Sequence, residues 1–190
     1  MDYGSVVSTT IKLLCWALLV LCVMGVLCIL LTDTSSLTDV SNCVIAYYGH
    51  TSIFDGVMAL YISRMLRCKI LVADHHKAKV PSLLRDNIIF VRKDGTNIFP
   101  VAEQGNVGFA IEGTRKYRPY VHQDFYHYAA REKKNIVFMF VNYRTLTIEC
   151  SQEIHPNEVT VVDALDILKN FVGNKTFAIF PQSCGKIALK

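Results

Sequence analysis

Short apolar runs alternate with longer apolar stretches of helical spacing along most of this chain, after an apolar segment near the amino end. The short runs are typical of buried strands, and the longer stretches are typical of helices that bury one face. Strands are predicted at residues 43–48, 69–73, 88–92, 108–111, 136–142 and 176–180. Helices are predicted at residues 55–66, 81–85, 122–133 and 162–171. This alternation predicts an α/β fold, a single domain in which a mixed β-sheet is flanked by helices.

The amino-terminal apolar segment, residues 13–31, contains 19 residues without a charged side chain. As a helix it would be about 28 Å long, close to the thickness of a bilayer's hydrocarbon core. A cleaved signal peptide is the alternative, but it has a shorter core and a small-x-small cleavage site, which residues 30–33 do not supply. We therefore expect a retained transmembrane or membrane-anchor helix. The predicted organisation is a tail at residues 1–12, this helix at 13–31, a linker at 32–41 and a folded domain at 42–190.

Composition agrees with a membrane-associated protein, since 52% of the residues are hydrophobic, the mean hydropathy is +0.30 and the net charge is +4. Of the seven cysteines, three lie in the apolar segment, where thiols behave as small hydrophobes. Cys43, Cys68, Cys150 and Cys184 are scattered at no metal-like spacing. We expect no metal site.

A first candidate motif follows the strand predicted at residues 43–48. His50 comes directly after Gly49, and Asp55 lies five residues further on, at the start of a predicted helix. A carboxylate that accepts from one ring nitrogen fixes the imidazole tautomer and leaves the other nitrogen able to take a proton. His50 and Asp55 are therefore candidates for a general base and the group that orients it.

A second motif, Glu112-Gly113-Thr114-Arg115, follows the apolar residues 107–111. A specified tetrapeptide occurs by chance in about one in a thousand chains of this length. Backbone amides, a hydroxyl and a guanidinium suit an anionic ligand such as a phosphate. The alternative interpretation is a polar turn in which Glu112 and Arg115 pair with each other on the surface.

With both motifs in this order, residues 43–142 resemble the glycerophospholipid acyltransferase family, which includes the lysophosphatidic acid acyltransferases. Residues 87–92 resemble the family's second block, an apolar strand that ends in Arg92, and residues 136–141 resemble its fourth block. The resemblance therefore covers four successive blocks. The rest of the chain is similar in general character.

The chain also departs from the family pattern. Gly49 stands where the family often has Asn, Ile111 where it often has Pro, and Val91 where an acidic residue often precedes the arginine. The fourth block lacks its usual Pro, and the stretch between Arg92 and Glu112 is shorter than usual. The candidate catalytic pair is complete, whereas the blocks that set acceptor specificity are altered.

The resemblance implies a membrane-bound O-acyltransferase that moves a fatty acyl group from acyl-CoA to the hydroxyl of a lysophospholipid or glycerol phosphate, with 1-acylglycerol-3-phosphate as the leading acceptor. It implies that His50 removes the hydroxyl proton, that Asp55 orients the ring, and that the alkoxide attacks the thioester directly. It assigns substrate binding to Arg92, Glu112, Gly113, Thr114 and Arg115. Glu112 would order the loop or touch the glycerol.

The partners implied are acyl-CoA, a lysophospholipid acceptor and membrane lipids, with no nucleic acid and no cofactor. We expect a single-pass or monotopic protein of the endoplasmic reticulum or another internal membrane. Its orientation is left open: Lys12 before the apolar segment, with Asp33 and Asp39 after it, places the domain across the membrane from the cytosol, whereas acyl-CoA is cytosolic. The oligomeric state is also open.

Two other functions are consistent with the same residues. The chain can be a non-catalytic, membrane-anchored lipid-binding protein that keeps the fold. It can also be a thioester hydrolase, if water replaces the acceptor hydroxyl at His50 and Asp55.

Overall fold

The chain divides into two compact units, Met1–Thr32 and Asp33–Lys190. The computed structural model describes residues 10–16, 20, 23, 25, 32–34, 40–92, 105–113, 117–175 and 177–188. In the first unit, residues 10–16, 20, 23 and 25 are helical. Among the described residues, no helix has both the length and the apolar character needed to cross a membrane. The membrane helix predicted at residues 13–31 finds no support in this part of the chain, and most of that segment lies outside the described residues.

The second unit contains a six-stranded mixed sheet with the strand order β3-β2-β4-β1-β5-β6. Strands β3, β2, β4, β1 and β5 are parallel, and β6 pairs with β5 in the antiparallel direction. The strands are β1 (Cys43–Tyr47), β2 (Lys69–Ala73), β3 (Ile88–Val91), β4 (Val107–Ala110), β5 (Asn135–Asn142) and β6 (Thr147–Cys150). The predicted α/β fold with a mixed sheet is confirmed.

Helices connect the strands, and two of them begin with the same local structure. The α-helices are α1 (Ile53–Met65), α2 (Asp124–Glu132) and α3 (Val161–Val172). The 3₁₀ helices are Asp74–Lys79, Ser82–Asn87 and Pro181–Ser183. A capping box starts α1 at Ser52 and Asp55, and another starts α3 at Thr160 and Asp163. In each box a hydroxyl and a carboxylate satisfy backbone N–H groups that lack a partner inside the helix.

The core lies on both faces of the central strands, which explains why their sequences are almost continuously apolar. Every residue of β1 is buried, and β5 is buried from Ile136 to Asn142. Phe125 of α2 and Leu168 of α3 belong to the core cluster that covers one face. Met58 and Ile62 of α1 are also buried. Parallel strands covered in this way show little alternation of polar and apolar residues.

In the carboxyl-terminal part, one strand prediction was wrong and one strand was missed. Of the strand predicted at residues 176–180, residues 178–180 form bends. Phe177 is buried whereas Ile179 and Phe180 are exposed, and Pro181 starts a 3₁₀ helix. The sequence analysis also missed β6, a short edge strand in which Ile148 is the buried residue. The short helix predicted at residues 81–85 is a 3₁₀ helix, Ser82–Asn87.

The turn after β1 requires glycine at position 49. Gly49 has a φ of +87°, in the left-handed region that favours glycine. A Cβ at this position would also overlap the ring of Phe177, which packs against Tyr48 with ring centroids 5.9 Å apart. Both the backbone conformation and the packing therefore exclude a side chain here.

We predict that Gly49→Ala lowers the free energy of unfolding by about 2 kcal/mol, because of left-handed strain and the overlap with Phe177. Gly56→Ala in α1 is the matched control, since a Cβ at Gly56 meets no heavy atom within 4 Å. That variant is expected to gain about 0.5–1 kcal/mol. Equilibrium urea unfolding measures both, and equal stabilities of the two variants would contradict the prediction.

Candidate active site

The two sequence motifs meet at the carboxyl end of the sheet. Strands β1 and β4 are parallel neighbours, and Tyr47 at the end of β1 pairs with Ala110 at the end of β4. His50 and Glu112 follow these strand ends by only a few residues, so the register brings the two loops together. Ligand sites of parallel sheets gather at this edge.

Glu112 joins the two loops through its carboxylate. Its Oε2 accepts the backbone N–H groups of Gly49 and His50, each at 2.7 Å. Its Oε1 accepts the backbone N–H of Gly185. Glu112 is only 1% exposed, so the interpretation of this motif as a surface pair of Glu112 with Arg115 is wrong for the glutamate. Burial raises the pKa of Glu112, and the three N–H donors act in the opposite direction by stabilising the carboxylate.

Asp55 holds the next two residues of the same loop. Its Oδ2 accepts the backbone N–H groups of Thr51 at 2.7 Å and Ser52 at 2.5 Å. Its Oδ1 accepts the hydroxyls of Tyr47 at 3.1 Å and Tyr143 at 2.7 Å. Asp55 is fully buried. Burial is the main cause, and the charge of Asp55 the second, of a pKa of Tyr47 well above its ordinary value. The hydroxyl therefore stays protonated and donates a hydrogen bond to the carboxylate.

The backbone of His50 lies between these two anchors. Residues 49 and 50 donate their N–H groups to Glu112, and residues 51 and 52 donate theirs to Asp55. The half-buried imidazole lies edge-on to the ring of Tyr47, with ring centroids 6.4 Å apart. A histidine on a loop fixed in this way has a defined position without any bound ligand, as a general base requires.

A pocket of about 660 Å³ opens at the ends of β2, β3 and β4, and it is lined by Ile111 and Gly113 on either side of Glu112 and not by residues 49–52. In the strand order, the chain leaves β2 toward β3 on one side and leaves β4 toward β5 on the other. Adjacent strands whose connections diverge in this way form the crevice in which open α/β sheets bind ligands. The volume lies within the range of small-molecule sites. The polar residues lining it are Asp74, His75, Arg92, His122 and Asp124.

The pocket contains part of the predicted substrate-binding set. Arg92 and Gly113 both line it, and the Arg92 side chain is exposed. Both carboxylate oxygens of Glu112 already accept backbone N–H groups, so this residue orders the loop. Thr114 and Arg115 lie outside the described residues. The structure therefore joins His50, Asp55 and Glu112 through the hydrogen bonds of one loop, and it places Gly113 and Arg92 at the neighbouring pocket.

His122 is a pocket residue that the sequence analysis left without a role. Its backbone N–H donates to the carbonyl of Ile111 at 2.7 Å, which places its ring over the turn at Gly113. Gly113 has a φ of +65°, and a Cβ there would lie 2.9 Å from His122 Nε2. The spacing of His122 and Gly113 in the sequence does not predict this contact. It depends on the tertiary fold, in which residue 122 folds back onto residue 111.

Cys43, at the amino end of β1, and Cys184, next to Gly185, are poor nucleophiles. Burial raises the pKa of Cys43 and of Cys184 to about 12, so both stay protonated at neutral pH. Within the described ranges, no group of three or more His, Cys, Asp or Glu side chains could hold a metal ion. The chemistry that these residues support is proton transfer by the histidine.

Comparison of the chain with models of protein families, with curated proteins and with solved structures gave no match. Its function is therefore inferred from the geometry of its own residues.

We predict that Asp55→Asn lowers the free energy of unfolding by about 2 kcal/mol, because an amide nitrogen would face buried N–H and O–H donors that need an acceptor. Asp163→Asn is the matched control. Asp163 has the same capping-box position in α3, but its partners Thr160 N and Oγ1 are exposed to water, which can replace the lost acceptor. Equilibrium unfolding of both variants tests this, and an equal loss at the two positions would contradict it.

Proposed function

We propose that this protein is a membrane-associated O-acyltransferase that transfers a fatty acyl group from acyl-CoA to a lysophospholipid or glycerol phosphate, with 1-acylglycerol-3-phosphate as the leading acceptor. One observation carries the proposal: the Glu112 carboxylate accepts the N–H groups of Gly49 and His50. This contact makes one site of two motifs that are far apart in the sequence and that together resemble the acyltransferase family. The membrane anchor at residues 13–31 is part of the proposal, since it would hold the domain beside its lipid substrates.

In this mechanism His50 acts as the general base. It takes the proton of the acceptor hydroxyl while the oxygen attacks the thioester carbonyl and forms the new ester bond. The carbon–sulfur bond then breaks, and His50 returns the proton to the leaving CoA thiolate. No acyl-enzyme forms.

Asp55 has two functions in the proposal. Its negative charge stabilises the imidazolium that forms during the reaction. Its hydrogen bonds to Thr51 and Ser52 hold the loop, while the hydroxyls of Tyr47 and Tyr143 hold the carboxylate itself. Because these contacts exist before substrate binds, little reorganisation is needed when charge develops on the ring.

The 660 Å³ pocket is the proposed acceptor site. Arg92 supplies a cation for the acceptor phosphate, and Gly113 allows close approach of the backbone. Thr114 and Arg115, which follow Gly113 in the sequence, would complete the set of phosphate ligands. Leu71, Phe109 and Phe125 supply apolar wall for the glycerol and the first part of an acyl chain. A second cavity, beneath α1 and lined by Ile45 and Ile62, is only about 50 Å³, too small for a long acyl chain.

We predict that His50→Ala lowers the transfer rate at least ~100-fold, the lower end of a general base's contribution, while lipid binding is retained. The assay uses detergent-solubilised protein, labelled oleoyl-CoA, and glycerol-3-phosphate, lysophosphatidic acid and zwitterionic lysophospholipids as acceptors. His127→Ala, which removes an exposed histidine of α2, is the control and should keep the full rate.

The products distinguish the three functions. Labelled diacyl lipid that disappears in His50→Ala supports the transferase and names its acceptor. Free fatty acid without new lipid favours the thioester hydrolase, and neither product favours the lipid-binding protein. Near-normal transfer by His50→Ala would eliminate the proposed mechanism.

We predict that Arg92→Ala raises the KM for a phosphate-bearing acceptor roughly tenfold or more, because a charge-assisted hydrogen bond is lost. The KM for acyl-CoA should stay unchanged. Arg64→Ala removes an exposed arginine of α1 and is the control for a general change in surface charge. A lower kcat with an unchanged acceptor KM would remove Arg92 from the binding role.

A further inference from the structure

The carboxyl-terminal segment, residues 177–188, lies against the loop that carries His50. The backbone N–H of Phe180 donates to Thr51 Oγ1 at 3.4 Å, and the carbonyl of Phe177 accepts the N–H of Tyr143 at 3.0 Å. Further along, Lys186 N–H donates to the carbonyl of Arg118 at 2.8 Å. These contacts attach the segment at several points around the candidate site.

Gly185 lies at the centre of this segment and its peptide groups are held from two directions. Its N–H donates to Glu112 Oε1, and its carbonyl accepts the hydroxyl of Tyr48 at 2.6 Å. Gly185 is buried. A Cβ here would lie 3.2 Å from Glu112 Oε1, 3.3 Å from Glu112 Cγ and 3.4 Å from the carbonyl of Arg118. Adding even one methyl group would therefore push against the side chain of Glu112.

The two oxygens of Glu112 move as one rigid group. Oε1 is fixed by Gly185, and Oε2 is shared by Gly49 and His50. Any rotation or displacement of the carboxylate at the Gly185 side therefore changes both distances at the His50 side. Thr51 and Ser52 are held by a different carboxylate, that of Asp55, and do not depend on Glu112.

We propose that Gly185 is a positioning residue, which acts through Glu112 to fix the backbone of Gly49 and His50. The carboxyl-terminal segment thus helps to position the site, although it contains no sequence motif. The effect on backbone position stands on the contacts alone, whereas its effect on turnover rests on the acyltransferase function proposed above.

The primary test is hydrogen exchange of single backbone amides, measured by NMR on ¹⁵N-labelled protein in detergent. In Gly185→Ala we expect the amides of Gly49 and His50 to exchange at least about tenfold faster, because their shared acceptor is displaced. The amides of Thr51 and Ser52 should keep their rates. These two residues are an internal control, since general unfolding would accelerate all four.

Two further variants guard against a simple loss of folding. Tyr48→Phe removes the hydroxyl that holds the Gly185 carbonyl and keeps the aromatic ring, so it should accelerate the same two amides in the same direction. Lys186→Ala changes the exposed neighbour of Gly185 and leaves the backbone bond to Arg118 in place, so it should change none of them. Unchanged exchange at Gly49 and His50 in both Gly185→Ala and Tyr48→Phe would overturn the proposal. So would equal acceleration of all four amides.

Kinetics supply a second readout. Gly185→Ala should lower kcat about tenfold with the KM values unchanged, because the base is displaced and the pocket is not. If Gly185 acts through Glu112, the double variant Gly185→Ala/Glu112→Gln should be no slower than Glu112→Gln alone. Additive losses would overturn the coupling. A wild-type protein that transfers no acyl group refutes the proposed function, and the amide exchange then still decides the role of Gly185.

Discussion

Two buried carboxylates hold four consecutive backbone N–H groups, and the rest of the site depends on this arrangement. At residues 49–52 the chain leaves β1 and begins α1, so these N–H groups have no partner in a strand or in the helix. Glu112 and Asp55 supply the acceptors. The same bonds offset the cost of burying two carboxylates, because each receives several N–H or O–H donors in place of water. Loop and carboxylates therefore stabilise each other.

The parts of the fold that were predictable from the sequence are those with local signals. Strands β1 and β5 are buried apolar runs and β2 is a partly exposed one, and the positions of all three were predicted to within a residue or two. The Ser52-x-x-Asp55 pattern is also a local signal, that of a capping box, and the sequence analysis did not use it. By contrast, the bends at residues 178–180 follow Phe177, whose ring packs against Tyr48 and Phe140, and a short stretch of sequence does not encode such distant contacts. Strand β6 has four residues with one of them buried, so its apolar signal is weak.

The sequence predicted most residues of the candidate site, but it did not predict the hydrogen bonds that join them. His50, Asp55 and Glu112 were recognised as polar residues following strands, but the partners of Glu112 come from the loop after β1 and from the carboxyl-terminal segment. His122 and Gly185 contact the second motif and the residue before it because the chain folds back to this loop twice, once before α2 and once after α3. Position 49 is glycine where the acyltransferase pattern often has asparagine, and the structure gives a packing reason. The ring of Phe177 fills the space that an asparagine side chain would need.

The bonds made by Glu112 also set the order in which the site can be assembled. They join it to residues 62, 63 and 73 positions away in the sequence, on both its amino-terminal and carboxyl-terminal sides. Contacts of such long range form late, since the entropy of closing large loops must be overcome first. A chain still emerging from the ribosome without residue 185 cannot complete the set. The loop of Gly49 and His50 is thus held by the complete set of bonds only after residue 185 has been synthesised, 73 positions after Glu112.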